Sequence, residues 1–151
     1  MKSEVRDFCD GFYGPRGKYI AEYEDWYSSY TKQRSMKVDS EWGDPEIWRR
    51  WVTREAMDHG EKLFQKALAA SRDNPTYHRH VRRAYLEVLW GGIMINTPPK
   101  TDLMSKELPL LPDADRAEIM AKAKLYGEIM RENGYNQILE GVLYDPGKYP
   151  H

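Results

Sequence analysis

Cys9 is the chain's one cysteine, so no internal disulfide can form and no zinc site can be built on thiolates alone. Charge of one sign is missing too. The 23 Lys+Arg and 24 Asp+Glu leave a formal net charge of -1 over 151 residues, without the basic footprint of a general nucleic-acid binder. No apolar run approaches the roughly 18–20 residues that cross a bilayer, so no membrane partner is expected. The first twenty residues also lack the apolar stretch of a signal peptide. Aliphatic bulk is scarce: Leu, Ile, Val and Phe make up 27 of the 151 residues. Such a share points to disorder only when net charge is high. Here it is low, and 11 Tyr with 5 Trp supply the missing bulk. Each buried aromatic removes roughly 150–250 Å² from water, so the composition describes an ordered domain with aromatic-rich seams. Length suits one domain of 151 residues.

What is present is helical periodicity. Residues 2–9 read as a short helix stopped by Gly11 and the Gly14-Pro15 pair. A second helix is expected from Pro15 or Arg16 to Ser35, with Tyr19, Tyr23, Trp26 and Tyr30 on one stripe and Ile20 and Tyr27 beside it. Residues 36–43 read as a loop. Asp44-Pro45 then predicts the start of a third helix running to Ser71. Its stripe is Trp48, Val52, Ala56, His59, Leu63, Ala67 and Ala70.

Asn74-Pro75 starts a fourth helix carrying Tyr77, Val81, Ala84, Tyr85, Val88 and Leu89. From Tyr85 to Ile95 only Glu87 is charged, and a helix apolar on nearly all sides is normally the central one. The stretch 96–112 holds four prolines and reads as one long loop. Asp113 is expected to start a fifth helix, which ends at Asn133-Gly134 with Gly as the left-handed cap and turns Ile119, Ala123, Tyr126 and Met130 inward. A short sixth helix is expected over 136–143. The class is all-α: an antiparallel bundle of about five helices. Both ends read as cut from a larger multidomain protein.

No catalytic motif is complete. His78 and His80 sit two apart on a helix, point away from each other and make a weak metal pair. The basic run Arg79, Arg82 and Arg83 reads as a solvated or docking face. His59 lies on an apolar stripe and reads as a packed, hydrogen-bonded core residue. It would be a general base only with a carboxylate or nucleophile facing it. Cys9 reads as a half-buried structural thiol. Glu22, Glu24 and Asp25, and the pair Asp44 and Glu46, read as helix-surface or cap carboxylates rather than an acid/base dyad. The Gly91-Gly92 pair allows close approach of another backbone, or a kink. Nothing calls for a cofactor. Trp26, Tyr27, Trp42, Trp48 and Trp51 exceed what a small bundle core holds, so some are expected to pack on a further domain or stack on sugar faces.

The run Asp7-Phe8-Cys9-Asp10-Gly11-Phe12-Tyr13-Gly14-Pro15, followed by Tyr19-Ile20 and Tyr23, resembles the helix, Gly-Tyr-Tyr-Gly, helix segment of a domain of unknown function (four-eight-three-eight) found in bacterial glycoside hydrolases. The stretch 56–69 and His80-Val81-Arg82-Arg83-Ala84-Tyr85-Leu86 resemble the paired helices of that family, with His80 standing where Arg is expected. The similarity spans residues 4–95. It implies a helical accessory region that follows a catalytic barrel in the same polypeptide, an extracytoplasmic setting and a polysaccharide substrate. It carries over no catalytic residue. Tyr13 and Trp42 are the substrate-contact candidates. The alternative is a free-standing helical module that binds carbohydrate or docks on a protein; a small enzyme centred on His59 is a third reading.

Overall fold

The computed structural model describes residues 2–34, 50–98 and 110–135, together with the backbone of 137–139 and 142–143. Among the described residues five α-helices carry the fold: α1 (Lys2–Tyr13), α2 (Gly17–Gln33), α3 (Arg54–Ala70), α4 (Pro75–Met94) and α5 (Arg116–Glu132), with a 3-10 turn over Gly14–Arg16 between the first two. The class is all-α, as the periodicity predicts.

Cross-helix pairs set an antiparallel order. Between α2 and α3 the partners run in opposite senses, from Arg16 with Ala70, through Trp26 with His59, to Arg34 with Glu55. Between α4 and α5, Arg82 clamps Glu132 with two bonds of 3.0 and 2.8 Å. At the other end of the same two helices, Leu111 N donates to Asn96 O at 2.8 Å. Helix α4 packs against α1, α3 and α5 and is the central element expected from its apolar sequence.

The capping residues explain where the helices begin. Asn74 Oδ1 accepts from the backbone N–H groups of Thr76 and Tyr77 at 3.1 Å, with Pro75 at the first helical position, as predicted. Helix α3 starts later than predicted. Thr53 is extended, and its Oγ1 accepts from Ala56 N at 3.2 Å, so residues 50–53 lie outside the helix. The expected start at Asp44-Pro45 lies outside the described residues. Helix α5 is capped by Asp115, two residues beyond the predicted Asp113; its Oδ1 accepts from Glu118 N at 3.0 Å. Gly134 ends it at φ 69°, the left-handed cap foreseen in the sequence.

Two further expectations are corrected. Helix α1 does not stop at Gly11 but runs to Tyr13. A glycine inside a helix costs only about 1 kcal/mol against Ala; here Phe12 packs on His80, which also accommodates its carbonyl oxygen. At 136–143 the described backbone forms two short strands, β1 (Gln137–Leu139) and β2 (Val142–Leu143), paired antiparallel, in place of the sixth helix. So short a helix would not stand alone.

One buried cluster threads all five helices, from Cys9 and Tyr23 through Phe64, Val81, Tyr85 and Leu89 to Ile119 and Ile129. The four inward residues predicted for α5 are all buried in it. Tyrosine takes the place of aliphatics: Tyr23 and Tyr85 are fully buried and flank Phe64, at centroid distances of 5.6 and 5.5 Å. Tyr85 Oη donates to Glu61 Oε1, and Gln65 Nε2 reaches both groups at 3.1 and 2.9 Å. Lys122 from α5 lies over Gly92 and brings its ammonium to 3.9 Å from Glu61 Oε2 and 2.7 Å from Glu118. What the Gly91-Gly92 pair admits is therefore side chains, Met57 against Gly91 and Lys122 against Gly92, rather than another backbone.

The base of the proline-rich stretch 96–112 is tied shut. Asn96 is buried, donates to Gly92 O at 2.7 Å and accepts from Arg54 Nη2 at 2.8 Å, while its carbonyl takes the Leu111 N–H.

The α1–α2 hairpin depends on two glycines. Gly14 sits at φ 69°, the left-handed region that favours glycine. A methyl group on Gly17 would lie 2.2 Å from the Cys9 carbonyl oxygen, a backbone atom that cannot move aside. We expect Gly17→Ala to force the helices apart and destabilise the fold by about 3 kcal/mol. Urea unfolding followed by circular dichroism would measure this, and a midpoint unchanged from wild type would contradict the packing.

Candidate functional site

The α1–α2 hairpin gathers aromatic rings on one side of the bundle. Phe8 and Phe12 stack with centroids 5.5 Å apart and planes 10° apart. His80, from α4, lies parallel to Phe12 at 4.0 Å and 9°. Tyr13 meets Phe8 and Phe12 edge-on, at 88° and 87°. His80 Nδ1 is 2.7 Å from the Phe12 carbonyl oxygen. A carbonyl only accepts, so this nitrogen carries a proton and satisfies one of the free carbonyls at the end of α1. Three near-parallel rings are thus pinned at one end, and at the other Phe8 is left 61% exposed.

Two cavities open on either side of Tyr13. The first, about 430 Å³, lies between α1 and α2, with Phe8 and Tyr13 on one wall and Glu24, Ser28 and Lys32 on the other. The second, about 610 Å³, is bounded by Phe12, His80, Arg83 and Glu87. Glu24 and Glu87 both keep part of their surface in solvent. Desolvation raises Glu24 above the ordinary carboxylate value, and the charge of Glu87 adds to it; desolvation alone raises Glu87. Tyr13 is raised as well, chiefly by burial, and Tyr27 is pushed up to about 12, by burial first and then by Glu87.

Tyr13, predicted as a contact residue, is half-buried and lines both cavities. Trp42, the other candidate, lies outside the described residues, as do Trp48, Asp44 and Glu46. Of the helix-surface carboxylates, Glu22 is exposed and Asp25 stands 3.9 Å from Arg6, while Glu24 joins the groove. Glu87 was not singled out as a functional residue. Its signal was its isolation, as the one charge in the apolar run 85–95.

The remaining candidates are absorbed by packing. Cys9 is fully buried rather than half-buried, and burial pushes its thiol up, away from the nucleophilic thiolate. His59 is packed as expected, stacked on Trp26 at 4.1 Å. Its Nε2, however, is buried without a hydrogen bond among the described residues, where a bonded core histidine was expected. Trp26 in turn stacks on Tyr30 at 4.7 Å, and the Arg34 guanidinium covers that ring at 4.1 Å. In the basic run, His78 bonds Ser71 at 2.9 Å while His80 faces Phe12, so the two imidazoles serve different neighbours. Among the described residues no cluster of His, Cys, Asp and Glu could hold a metal ion, and no helix is long and apolar enough to cross a membrane.

Compared with family models, curated proteins and solved structures, the chain matches none.

The raised carboxyl of Glu87 has a measurable sign. A carboxyl whose folded value is raised contributes stability that is fully present below its unfolded value and lost as pH rises through the folded one. Glu87→Gln removes that loss and relieves Glu24. The variant should therefore melt above wild type at pH about 7, with the gap shrinking toward pH about 4. A difference independent of pH would contradict the raised carboxyl.

Proposed function

We propose that this chain is a non-catalytic helical accessory domain of a bacterial glycoside hydrolase, packing on a catalytic barrel of the same polypeptide and lining its substrate cleft with the α1 face. The setting would be extracytoplasmic. The observation that carries this reading is the Phe8–Phe12–His80 stack. It occupies the segment on which the family resemblance rests, and it spends a large aromatic on solvent in a chain short of apolar bulk. Exposed apolar groups held rigid on one face suit contact with a partner or ligand.

The non-catalytic part rests on the state of the candidate groups. Cys9 is buried with a raised thiol, and His59 is stacked beneath Trp26. Sugar hydrolysis by two carboxyls needs their environments to push them apart, one toward the acid and one toward the ionised form. Desolvation pushes Glu24 and Glu87 the same way. A free-standing carbohydrate-binding or protein-docking module is the second reading, favoured by the same exposed ring.

The accessory role predicts that the pure chain does not turn over aryl glycosides. It also predicts that the genomic reading frame joins this chain to a barrel bearing paired carboxylates. Turnover that disappears in Glu87→Gln would overturn the first statement. A frame that encodes no barrel would overturn the second and leave the free-standing module.

A further inference from the structure

We infer that the groove between α1 and α2 is a carbohydrate subsite that seats one pyranose ring on Phe8, with the chain of sugars continuing past Tyr13 into the second cavity. The inference deepens the cleft-lining role proposed above and rests on it.

The two walls of the groove differ in chemistry. One is apolar and stiff. Phe8 is held by Phe12 and by the edge of Tyr13, so little freedom is lost when a ligand covers it. The facing wall, one side of α2, carries Glu24, Asp25, Ser28, Ser29 and Lys32. It offers carboxylate acceptors, hydroxyls and an ammonium donor within one cavity. Ser29 Oγ already donates to the Asp25 carbonyl at 2.9 Å, which leaves its lone pairs to accept. A pyranose matches this pairing, with an apolar C–H face for the ring and a rim of hydroxyls that both donate and accept.

Other occupants fit worse. An anion would meet Glu24 and Asp25. An apolar helix would strip water from the polar side chains of this wall and offer them no hydrogen bonds in return, which is costly. A simple cation would leave the Phe8 face and Lys32 unused. The cavity of about 430 Å³ lies within the usual range for small-molecule sites, roughly 300–1,000 Å³.

Tyr13 lines both cavities, so a longer ligand that leaves the first passes Tyr13 to reach the second. There the second cavity presents Arg83 as a donor and Glu87 as an acceptor.

Isothermal titration of the pure chain with cellohexaose, xylohexaose and mannohexaose, each at millimolar concentration, tests the site. At least one should bind. Phe8→Ala, at an exposed position, should weaken that binding by about tenfold while the helical circular dichroism is kept. Ser28→Tyr, at another exposed position, should fill the groove and abolish it, and Lys124→Ala, on α5, should change nothing. Failure of all three sugars to bind would overturn the inference, as would affinity unaltered in both groove variants. Those failures leave the accessory role standing if a barrel shares the reading frame. Binding without such a barrel would sink the accessory role and keep the subsite.

Discussion

The α1–α2 hairpin turns on the contact between Gly17 and the Cys9 carbonyl, which no side chain can enter. Two helices pressed that closely cannot slide, so the face of α1 is fixed in rotation. Cys9 points into the core and Phe8 out of it, because neighbouring positions on a helix lie about 100° apart. Everything proposed for the surface follows from this: the exposed ring, the groove beside α2 and the place of Tyr13 between two cavities. His80 completes the arrangement from α4, tying the end of α1 to the central helix through Phe12.

A second constraint is the use of tyrosine where other chains use leucine. An aromatic core fills volume with few residues, but each hydroxyl must be satisfied or isolated. Tyr85 is satisfied through Glu61 and Gln65, and Tyr30 through Thr53 at 2.6 Å. Tyr23 Oη is buried with no hydrogen bond among the described residues. Its hydroxyl is raised by burial first and then by the charge of Glu87. The polar ties that serve the hydroxyls also join helices. Glu61 of α3, Tyr85 of α4 and Lys122 of α5 meet in one network, and Gly92 leaves the room for Lys122 to reach across.

How far the fold was legible in the sequence can be judged from its ends and stripes. Asn74-Pro75, Gly134, the inward residues of α5 and the central role of α4 were all readable, because capping and periodicity are local matters. The start of α3 was misplaced: apolar spacing continued upstream through Val52, whereas the helix waits for the Thr53 hydroxyl to cap it. The run of α1 past Gly11 was missed since its support comes from His80, 68 residues away. For the candidate site, Tyr13 was named from the sequence, and it stands half-buried against both cavities. The exposure of the Phe8 ring and the effect of Glu87 on Glu24 were not legible, for both depend on which helix lies beside which.

By itself the sequence determined the helical class, the order of the helices and most of their inward faces. Those properties follow from spacing along one chain, where hydrogen bonds and side-chain stripes repeat over a few residues. Only the tertiary structure decided which aromatics would be core and which surface, since burial depends on what a neighbouring helix covers. It also decided that the charge of Glu87 on α4 would bear on Glu24 of α2, because charges interact through space and are indifferent to the 63 positions separating the two in the chain.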